Sequence, residues 1–393
     1  MKNILINSKK IFFRLVSFAS IFPRIRWLTL RKKCPILIVD QTGAEQVSKV
    51  IPQNQSHWTL PVRNEIRFIN FQILFHFFHD LDLVLLRKIN MLGLYVMSVA
   101  KFLDAKVLIT SIDNCSWDKN LHRVSDLRVL CIQNGIRPKS ALQQKTYDLF
   151  LTLGERDANL VRERSISATP VGSLNLALAQ KARLDSMPLA DDHLDLFFIS
   201  QYREEFWNSN KDQDKRHVQS VKTTLRWIST IASENSLSVG IGFSAKGQNR
   251  ETVFSQEKNI YNQYLNIPYK IFRREGFHRR GIDCSYGGLF VSKVIIAFSS
   301  SMVLEAIGLG KPVIMTTRLL GDIESDHYDW FPQDEFDYFL IKPRFQDFEE
   351  KILCALNKTS EKKPPINPNY FCATPSKIGT IGEIKRQILD AFN

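Results

Sequence analysis

The sequence predicts an α/β protein with two Rossmann-like domains, each built on a parallel sheet, that face a cleft, and a C-terminal helix that crosses back to the first domain. The chain has 393 residues and 44% hydrophobic content, which is too long for one ordinary core. Short apolar runs that end in polar loops alternate with helical patterns, as in parallel sheets covered by helices. This alternation stops at a polar segment, 180–193, and then starts again.

The first half contains five short apolar runs that each end at a polar or glycine-containing loop. These predicted strands cover residues 35–40, 105–112, 127–132, 149–153 and 169–171. Between the first two runs, residues 64–103 carry apolar and aromatic side chains at helical spacing, which predicts two helices. We therefore expect an N-terminal domain over 34–179, preceded by a basic segment, 1–33.

The second half repeats this organisation. Its predicted strands are 194–200, 237–243, 293–298 and 312–315, and its predicted helices are 215–234, 302–309 and 345–357. Near the C-terminus, Thr380 and Glu383 have the spacing of a capping box, which predicts a helix over 381–391. We expect a linker at 180–193, a second domain over 194–376, and a final helix within 377–393 that packs toward the N-terminal domain.

The net charge of +13 is concentrated at the N-terminus. Residues 1–39 contain no acidic residue, and their nine basic residues are Lys2, Lys9, Lys10, Arg14, Arg24, Arg26, Arg31, Lys32 and Lys33. This asymmetry favours a local anchor on an anionic membrane rather than a nucleic-acid-binding face. An amphipathic helix within 1–33, too short and too charged to span a bilayer, would place the protein on the cytoplasmic face of the plasma membrane. The alternative is a helix packed against its own domain.

Residues 294–314, VIIAFSSSMVLEAIGLGKPVI, contain the most distinctive motif. Ser299, Ser300 and Ser301 follow a buried strand and open a helix, where backbone N–H groups and hydroxyls bind phosphate. Glu305 lies one turn further on, where it would contact a ribose. The alternative is that the serines only cap the helix.

Two basic residues follow other strands of the second half. Arg203 and Lys246 are candidates for neutralising the charge of a donor phosphate. The alternative for each is a solvent-exposed position.

Polar residues follow the predicted strands of the first half as well. Ligands of open α/β sheets bind at the carboxyl ends of the strands, and amide side chains suit sugar hydroxyls. The candidates for the acceptor site are Asn114, Gln133, Asn134 and Arg137.

Acids at the same edge are candidates for the general base that activates an acceptor hydroxyl. Asp113 is the first candidate and Glu155 the second, with Asp40 as a third. The alternatives are an Asx turn at Asp113 and Asn114, a tight turn that uses Gly135, and a helix cap at Glu155.

Six motifs in order resemble a family of bacterial surface-carbohydrate and capsule biosynthesis proteins. They are ITSIDNCSW, CIQNGIR, LTLGERDANLV, PVGSLN, FFISQYRE and the Ser-Ser, Glu and Gly-Lys segment, and together they span about 105–314. The last segment is similar to the donor-binding segment of GT-B glycosyltransferases and of the related sugar-nucleotide 2-epimerases. The resemblance implies a GT-B-like fold and a role in polysaccharide assembly, with Ser299, Ser300, Ser301 and Glu305 holding the donor.

The expected activity is that of a metal-independent Leloir-type glycosyltransferase acting on a lipid-linked saccharide acceptor, in the biosynthesis of a surface polysaccharide such as capsule or lipopolysaccharide. No cofactor is expected besides the nucleotide-sugar substrate, and the Asp80-Leu81-Asp82 pair lies in a helical segment rather than in a metal-binding loop. The six cysteines form no CxxC pair and indicate reduced thiols. The alternatives are a sugar-nucleotide epimerase or hydrolase on the same fold, and a non-catalytic saccharide-binding partner.

Overall fold

The computed structural model describes most of the chain between residues 24 and 392. The described ranges are 24–28, 33–40, 43–62, 66–86, 88–111, 121, 125–142, 147–185, 193–244, 250–273, 284–298, 300–320, 336–357, 367–373 and 379–392. The chain divides into two compact units, Met1–Asn175 together with Thr374–Asn393, and Leu176–Ala373. The α/β class with two Rossmann-like domains is confirmed, whereas the exact domain and linker boundaries stay predictions.

The first unit contains a six-stranded parallel sheet and a separate two-stranded one. Its strands are β1 (Arg24–Trp27), β2 (Ile36–Val39), β3 (His57–Leu60), β4 (Ile66–Ile69), β5 (Val107–Thr110), β6 (Arg128–Ile132), β7 (Leu149–Thr152) and β8 (Ser167–Pro170). The large sheet has the order β3-β2-β5-β6-β7-β8, and β1 pairs with β4. Strands β2 and β5 are buried at every position, as expected for a sheet covered on both faces.

Helices connect these strands. They are α1 (Ala44–Ser48), α2 (Phe71–His79), α3 (Leu81–Leu85), α4 (Met91–Leu103), α5 (Lys139–Leu142) and α6 (Glu155–Arg162). Helix α7 (Leu174–Asp185) follows β8 and continues into the second unit. Most residues of helix α4 are buried, and its Tyr95 hydroxyl accepts a hydrogen bond from the Phe68 backbone N–H (2.9 Å) and donates one to the Phe68 carbonyl (3.0 Å). This pair of bonds fixes β4 against the core helix.

The prediction of two helices over 64–103 was wrong. The structure has a strand, β4, followed by the three helices α2, α3 and α4. Residues 66–69 are extended because they pair in parallel with β1, with Arg24 opposite Ile66 and Trp27 opposite Ile69. A partner about 40 residues away cannot be inferred from local spacing, which is also why β1 itself and the half-exposed edge strand β3 were missed.

The second unit has a five-stranded parallel sheet. Its strands are β9 (Leu194–Ile199), β10 (Val239–Gly242), β11 (Lys270–Phe272), β12 (Ser292–Ala297) and β13 (Val313–Met315), in the order β11-β10-β9-β12-β13. Its helices are α8 (Glu204–Trp207), α9 (Asp212–Asn235), α10 (Arg250–Asn262), α11 (Ser285–Val291), α12 (Ser301–Gly308), α13 (Phe336–Phe339) and α14 (Phe345–Asn357). The C-terminal helix α15 (Gly379–Asp390) belongs to the first unit.

Glycines in the second unit make room for one large buried side chain. The Phe197 ring of β9 lies so close to the backbone that a Cβ on Gly288 of α11 would be 2.2 Å from Phe197 Cε2, and one on Gly242 would be 2.7 Å from Cζ. Helix α11 therefore approaches the sheet more closely than any side chain at position 288 would allow.

None of the helices within the described ranges combines the length and the apolar character needed to cross a membrane.

Candidate functional site

The second unit has a topological switch point between β9 and β12. The chain runs outward from β9 through β10 to β11, and then returns to the other side of β9 to form β12 and β13. The connections that leave β9 and β12 therefore diverge, which opens a crevice beyond the carboxyl ends of these strands. The two strands end in register, with Ile199 opposite Ala297. The sequence-predicted Arg203 follows β9, and Ser300 and Ser301 follow β12, so these residues come from the two strands that flank the crevice.

Ser300 is the N-cap of α12. It has extended backbone angles, and its hydroxyl oxygen accepts a hydrogen bond from the Met302 N–H at 3.3 Å. Because the hydroxyl oxygen is the acceptor in this bond, Ser300 caps the helix and its hydroxyl proton can still be donated to a ligand. The first backbone N–H groups of α12, at the positive end of the helix dipole, lie at the carboxyl edge of the sheet. Ser299 and Lys246 lie outside the described residues.

Glu305 lies on the second turn of α12 and is buried, with 4% of its surface exposed. The Tyr286 hydroxyl of α11 donates a hydrogen bond to Glu305 Oε1 at 3.1 Å. This contact orients the carboxylate, and sequence reasoning missed Tyr286. The only signal is its place in SYGGLFV, where Gly288 lets α11 approach the Phe197 ring of the sheet closely.

Lys311, in the GKPVI segment, has a structural role. Its ammonium group donates hydrogen bonds to the carbonyls of Phe290 and Ser292 at the end of α11, the former at 3.1 Å. Burial, with a smaller effect of Arg183, lowers the pKa of Lys311. Gly310 before it adopts a left-handed conformation (φ 70°) that ends α12. The Gly-Lys pair thus fixes α11 and α12 relative to each other, and so supports the contact between Tyr286 and Glu305.

A buried carboxylate ties together the loops after β9 and β10. The backbone N–H of Ser244 donates to both carboxylate oxygens of Glu257, at 3.2 Å each, and the Ser200 hydroxyl donates to the same carboxylate. The Ser244 hydroxyl in turn donates to the Tyr202 carbonyl at 2.8 Å. These bonds fix the start of the loop that carries Arg203, whose guanidinium is exposed and lies 5.1 Å from the Phe206 ring centroid.

The first unit has its own switch point, between β2 and β5. A small depression, partly open to solvent, lies beyond the carboxyl ends of its strands. Its lining residues are Gly43, Gln46, Ser111, Ile132, Gln133, Asn134, Ser173, Leu174 and Asn175. Gly43 is left-handed (φ 78°), and a Cβ there would be 2.2 Å from Ser111 Oγ, so the floor of the depression depends on this glycine. Next to β2, the buried Asp40 is also left-handed (φ 80°), which is uncommon for a residue other than glycine.

Gln133 is buried and makes three hydrogen bonds within the unit. Its Nε2 donates to the Gly135 carbonyl (2.9 Å) and to Asp157 Oδ2 (2.5 Å), and its Oε1 accepts from the Leu153 N–H (2.9 Å). These bonds join the loops after β6 and β7. The amide therefore shapes the edge of the sheet, and its assignment to acceptor binding stays a prediction.

Asp157, on α6, forms a buried ion pair with Arg156 that sequence reasoning missed. Arg156 Nη1 lies 2.5 Å from Asp157 Oδ1, with only 6% and 3% of the two side chains exposed. Burial raises the pKa of the Asp157 carboxyl, against the opposing effects of Arg156 and Gln133. Adjacent Arg and Asp residues in an amphipathic helix usually lie on its solvent-exposed side. The local sequence therefore gives no sign that this pair is buried.

Three further predicted residues of the first unit, Asn134, Arg137 and Glu155, lie nearer the surface than Gln133. Asn134 is exposed, and its Oδ1 accepts a hydrogen bond from Asn175 Nδ2 at 3.3 Å across the depression. Arg137 is half-buried and donates to the Ile136 carbonyl. Glu155, in the first turn of α6, pairs with Arg162 at 3.2 Å. Asp113 and Asn114 lie outside the described residues, and the roles of all five stay predictions.

No protein-family profile matches this chain, and a search of curated proteins gives no match. Solved structures do match over nearly the whole chain. A putative UDP-N-acetylglucosamine 2-epimerase from Listeria monocytogenes has a TM-score of 0.54 at 10% identity, covering 92% of this chain and 96% of its own. The S. aureus MnaA–UDP structure has a TM-score of 0.51 at 11% identity, with the same coverage. The wall teichoic acid polymerase TagF has a TM-score of 0.50 at 11% identity, covering 91% of this chain and 90% of its own.

These likenesses show a fold of GT-B type, with two Rossmann-like units. At this level of identity the activity must be inferred from the residues of the chain itself.

Proposed function

We propose that this protein is a glycosyltransferase that moves a sugar from a nucleotide-sugar donor to a lipid-linked saccharide acceptor in bacterial surface polysaccharide biosynthesis. The observation that carries the proposal is the start of α12. A serine-capped helix N-terminus lies at a topological switch point, with the oriented Glu305 one turn further on. This arrangement suits a ligand with a phosphate and a vicinal diol, as in a nucleotide.

On the donor side, the N–H groups of α12 and the hydroxyls of Ser300 and Ser301 would bind phosphate oxygens. Glu305 accepts a hydrogen bond from Tyr286 that orients it, and carboxylate oxygens suit ribose hydroxyls as acceptors. Arg203 supplies positive charge from the neighbouring strand. The solved structures of this fold support the ligand class, since one neighbour was solved with UDP and another, at a TM-score of 0.50, with UDP-GlcNAc.

On the acceptor side, a base takes the proton of an acceptor hydroxyl while its oxygen bonds to the anomeric carbon, and the bond from that carbon to the donor phosphate oxygen breaks. Asp113 or Glu155 would be this base, and Asn134 and Arg137 would hold the saccharide. The negative charge that develops on the leaving nucleotide is stabilised by the start of α12 and by Arg203. The basic segment 1–33 would hold the enzyme on the membrane that carries the acceptor, each basic residue adding about 1 kcal/mol near an anionic surface.

A sugar-nucleotide 2-epimerase is the second candidate, because structures named as such enzymes match this fold at TM-scores of 0.50 and 0.54. It would use the same donor site and need no acceptor. The two candidates therefore differ in what happens to a nucleotide sugar in the absence of an acceptor.

The first test is a thermal-shift screen against CMP, CDP, UDP, GDP and their sugar conjugates. A nucleotide at 100 times its Kd should stabilise the protein by about 2.7 kcal/mol. We expect Glu305→Gln and Tyr286→Phe to reduce this affinity by about tenfold or more, because each disturbs one hydrogen bond to a charged group. Glu350→Gln, an exposed glutamate on α14, is the matched control.

The outcomes test the donor site first and then separate the two candidates. A selective shift that both variants lose supports the donor site, whereas a shift that they retain contradicts the assignment of Glu305. Incubation of the bound nucleotide sugar without acceptor then tests the reaction: accumulation of a 2-epimer identifies the epimerase and rules out the transferase. If no nucleotide causes a shift, the proposed donor is wrong.

A further inference from the structure

Helix α2 carries an aromatic face that the first unit leaves exposed. Phe71, Phe75 and Phe78 are spaced by four and three residues, which places them on one side of the helix. They are 78%, 66% and 51% exposed, and Trp27 of β1, whose ring centroid lies 4.8 Å from that of Phe71, is 51% exposed. We call these four residues the aromatic face. Large aromatic side chains grouped on a surface mark an interaction site.

The opposite side of α2 is already used for the core. Ile73 and Phe77 are 1% exposed and pack into the hydrophobic core of the first unit. The helix is therefore apolar on both sides, and an element of this kind needs a second apolar environment besides its own core.

The aromatic face is held in a fixed position. The Asn70 Oδ1 caps α2 by accepting from the Ile73 N–H at 2.7 Å, and its Nδ2 donates to the Leu28 carbonyl of the segment after β1, at 3.4 Å. At the other end, Asp80 pairs with Lys101 of α4 at 2.5 Å. Both ends of α2 are thus anchored, so the face does not depend on a mobile loop.

The sequence next to this face indicates its partner. Strand β1 begins at Arg24, within the basic segment 1–33. This segment carries nine basic residues and no acidic one. The aromatic face therefore includes Trp27, which belongs to the basic segment 1–33 itself. Aromatic rings favour the interface between lipid headgroups and acyl chains, and basic residues favour anionic lipids. An anionic bilayer satisfies both features, whereas a neutral protein surface would satisfy only the first.

We infer that the aromatic face of α2 and β1 inserts into an anionic membrane surface and fixes the orientation of the first unit there. This inference rests on the proposed function in that a lipid-linked acceptor requires a membrane-bound enzyme. The aromatic face would be a second contact with the membrane, in addition to the basic N-terminal segment. The basic segment supplies long-range attraction that salt screens, and the aromatic rings supply short-range apolar contact that salt does not weaken.

The test is co-sedimentation of the full chain with phosphatidylcholine vesicles, with and without phosphatidylglycerol. The Phe71→Ser/Phe75→Ser variant should bind the anionic vesicles at least about tenfold more weakly, because two rings lose their apolar contact. Leu389→Ser is the control, since Leu389 is 42% exposed but lies on α15. The thermal shift with nucleotide is measured on the same samples. Weak vesicle binding with a normal nucleotide shift supports the inference, whether or not transferase activity is found.

Two results would overturn it. One is unchanged vesicle binding by the double variant, which would mean that residues 1–23 or a second copy of the chain covers the face; a change of mass in sedimentation velocity would identify the second copy. The other is the absence of quenching when vesicles contain brominated acyl chains. Trp27 should be quenched there, so wild type should lose more fluorescence than Trp27→Phe.

Discussion

Asp157→Leu should destabilise the first unit by about 3–5 kcal/mol, because it leaves the Arg156 guanidinium in a buried site without its carboxylate. The pair is 2.5 Å apart and almost fully buried, and Asp157 also accepts from Gln133. The change should appear as a lower urea midpoint for this unit. It should also speed amide hydrogen exchange at Leu153, whose N–H donates to Gln133 Oε1.

The double variant Arg156→Met/Asp157→Leu is the matched control. Replacing both partners of a buried pair with apolar side chains often costs little, so the double variant should recover most of the stability that the single variant loses. A loss in the double variant as large as in the single one would mean that packing, rather than the loss of the Asp157 carboxylate next to the Arg156 charge, causes the effect.

Gly288→Ala should destabilise the second unit by about 2–3 kcal/mol, although alanine favours helices more than glycine does. The added Cβ would lie 2.2 Å from Phe197 Cε2 and 2.5 Å from Cζ, and Phe197 is fully buried in the sheet. Either α11 must move away from the sheet or the ring must leave its place. Movement of α11 would also shift Tyr286 away from Glu305, so we expect weaker nucleotide binding along with a lower unfolding midpoint.

The Phe197→Val background tests this cause. Valine lacks all the ring atoms that the new Cβ would contact, so Gly288→Ala in this background should be neutral or slightly stabilising through helix propensity. If Gly288→Ala destabilises Phe197→Val as much as it destabilises wild type, the contact with Phe197 is not the reason.

Much of the sheet organisation could be predicted from local patterns. The apolar runs 194–200 and 293–298 match the strands β9 and β12 to within one residue at each end, and helix 345–357 was predicted at its observed bounds. These elements have strong periodicity and clear ends, so the local sequence is sufficient. In contrast, the residues of β4 lie in a stretch whose apolar spacing is typical of helices. They form a strand because they pair with β1.

The residues of the candidate site also differ in whether the local sequence could predict them. The serines at the start of α12 were recognisable because a cap is a local feature, with Ser300 bonding to Met302 two residues away. Tyr286 was not recognisable, since its contact with Glu305 joins two helices across 19 residues. For Lys311 the local motif was misleading. The Gly-Lys segment suggests a site for a phosphate ligand, but the Lys311 ammonium group donates to a backbone carbonyl at the end of α11.

The sequence by itself determined the α/β class, most of the strands, the helix that starts with Ser301, and the concentration of positive charge at the N-terminus. The tertiary structure alone decided which polar groups are buried, as with Gln133 and Asp157, and which apolar ones are exposed, as on α2. The physical reason is that periodicity and capping are local properties, whereas burial depends on which distant segment covers a residue. Phe75 and Phe77 are two residues apart and chemically identical, and only the position of the core separates their roles.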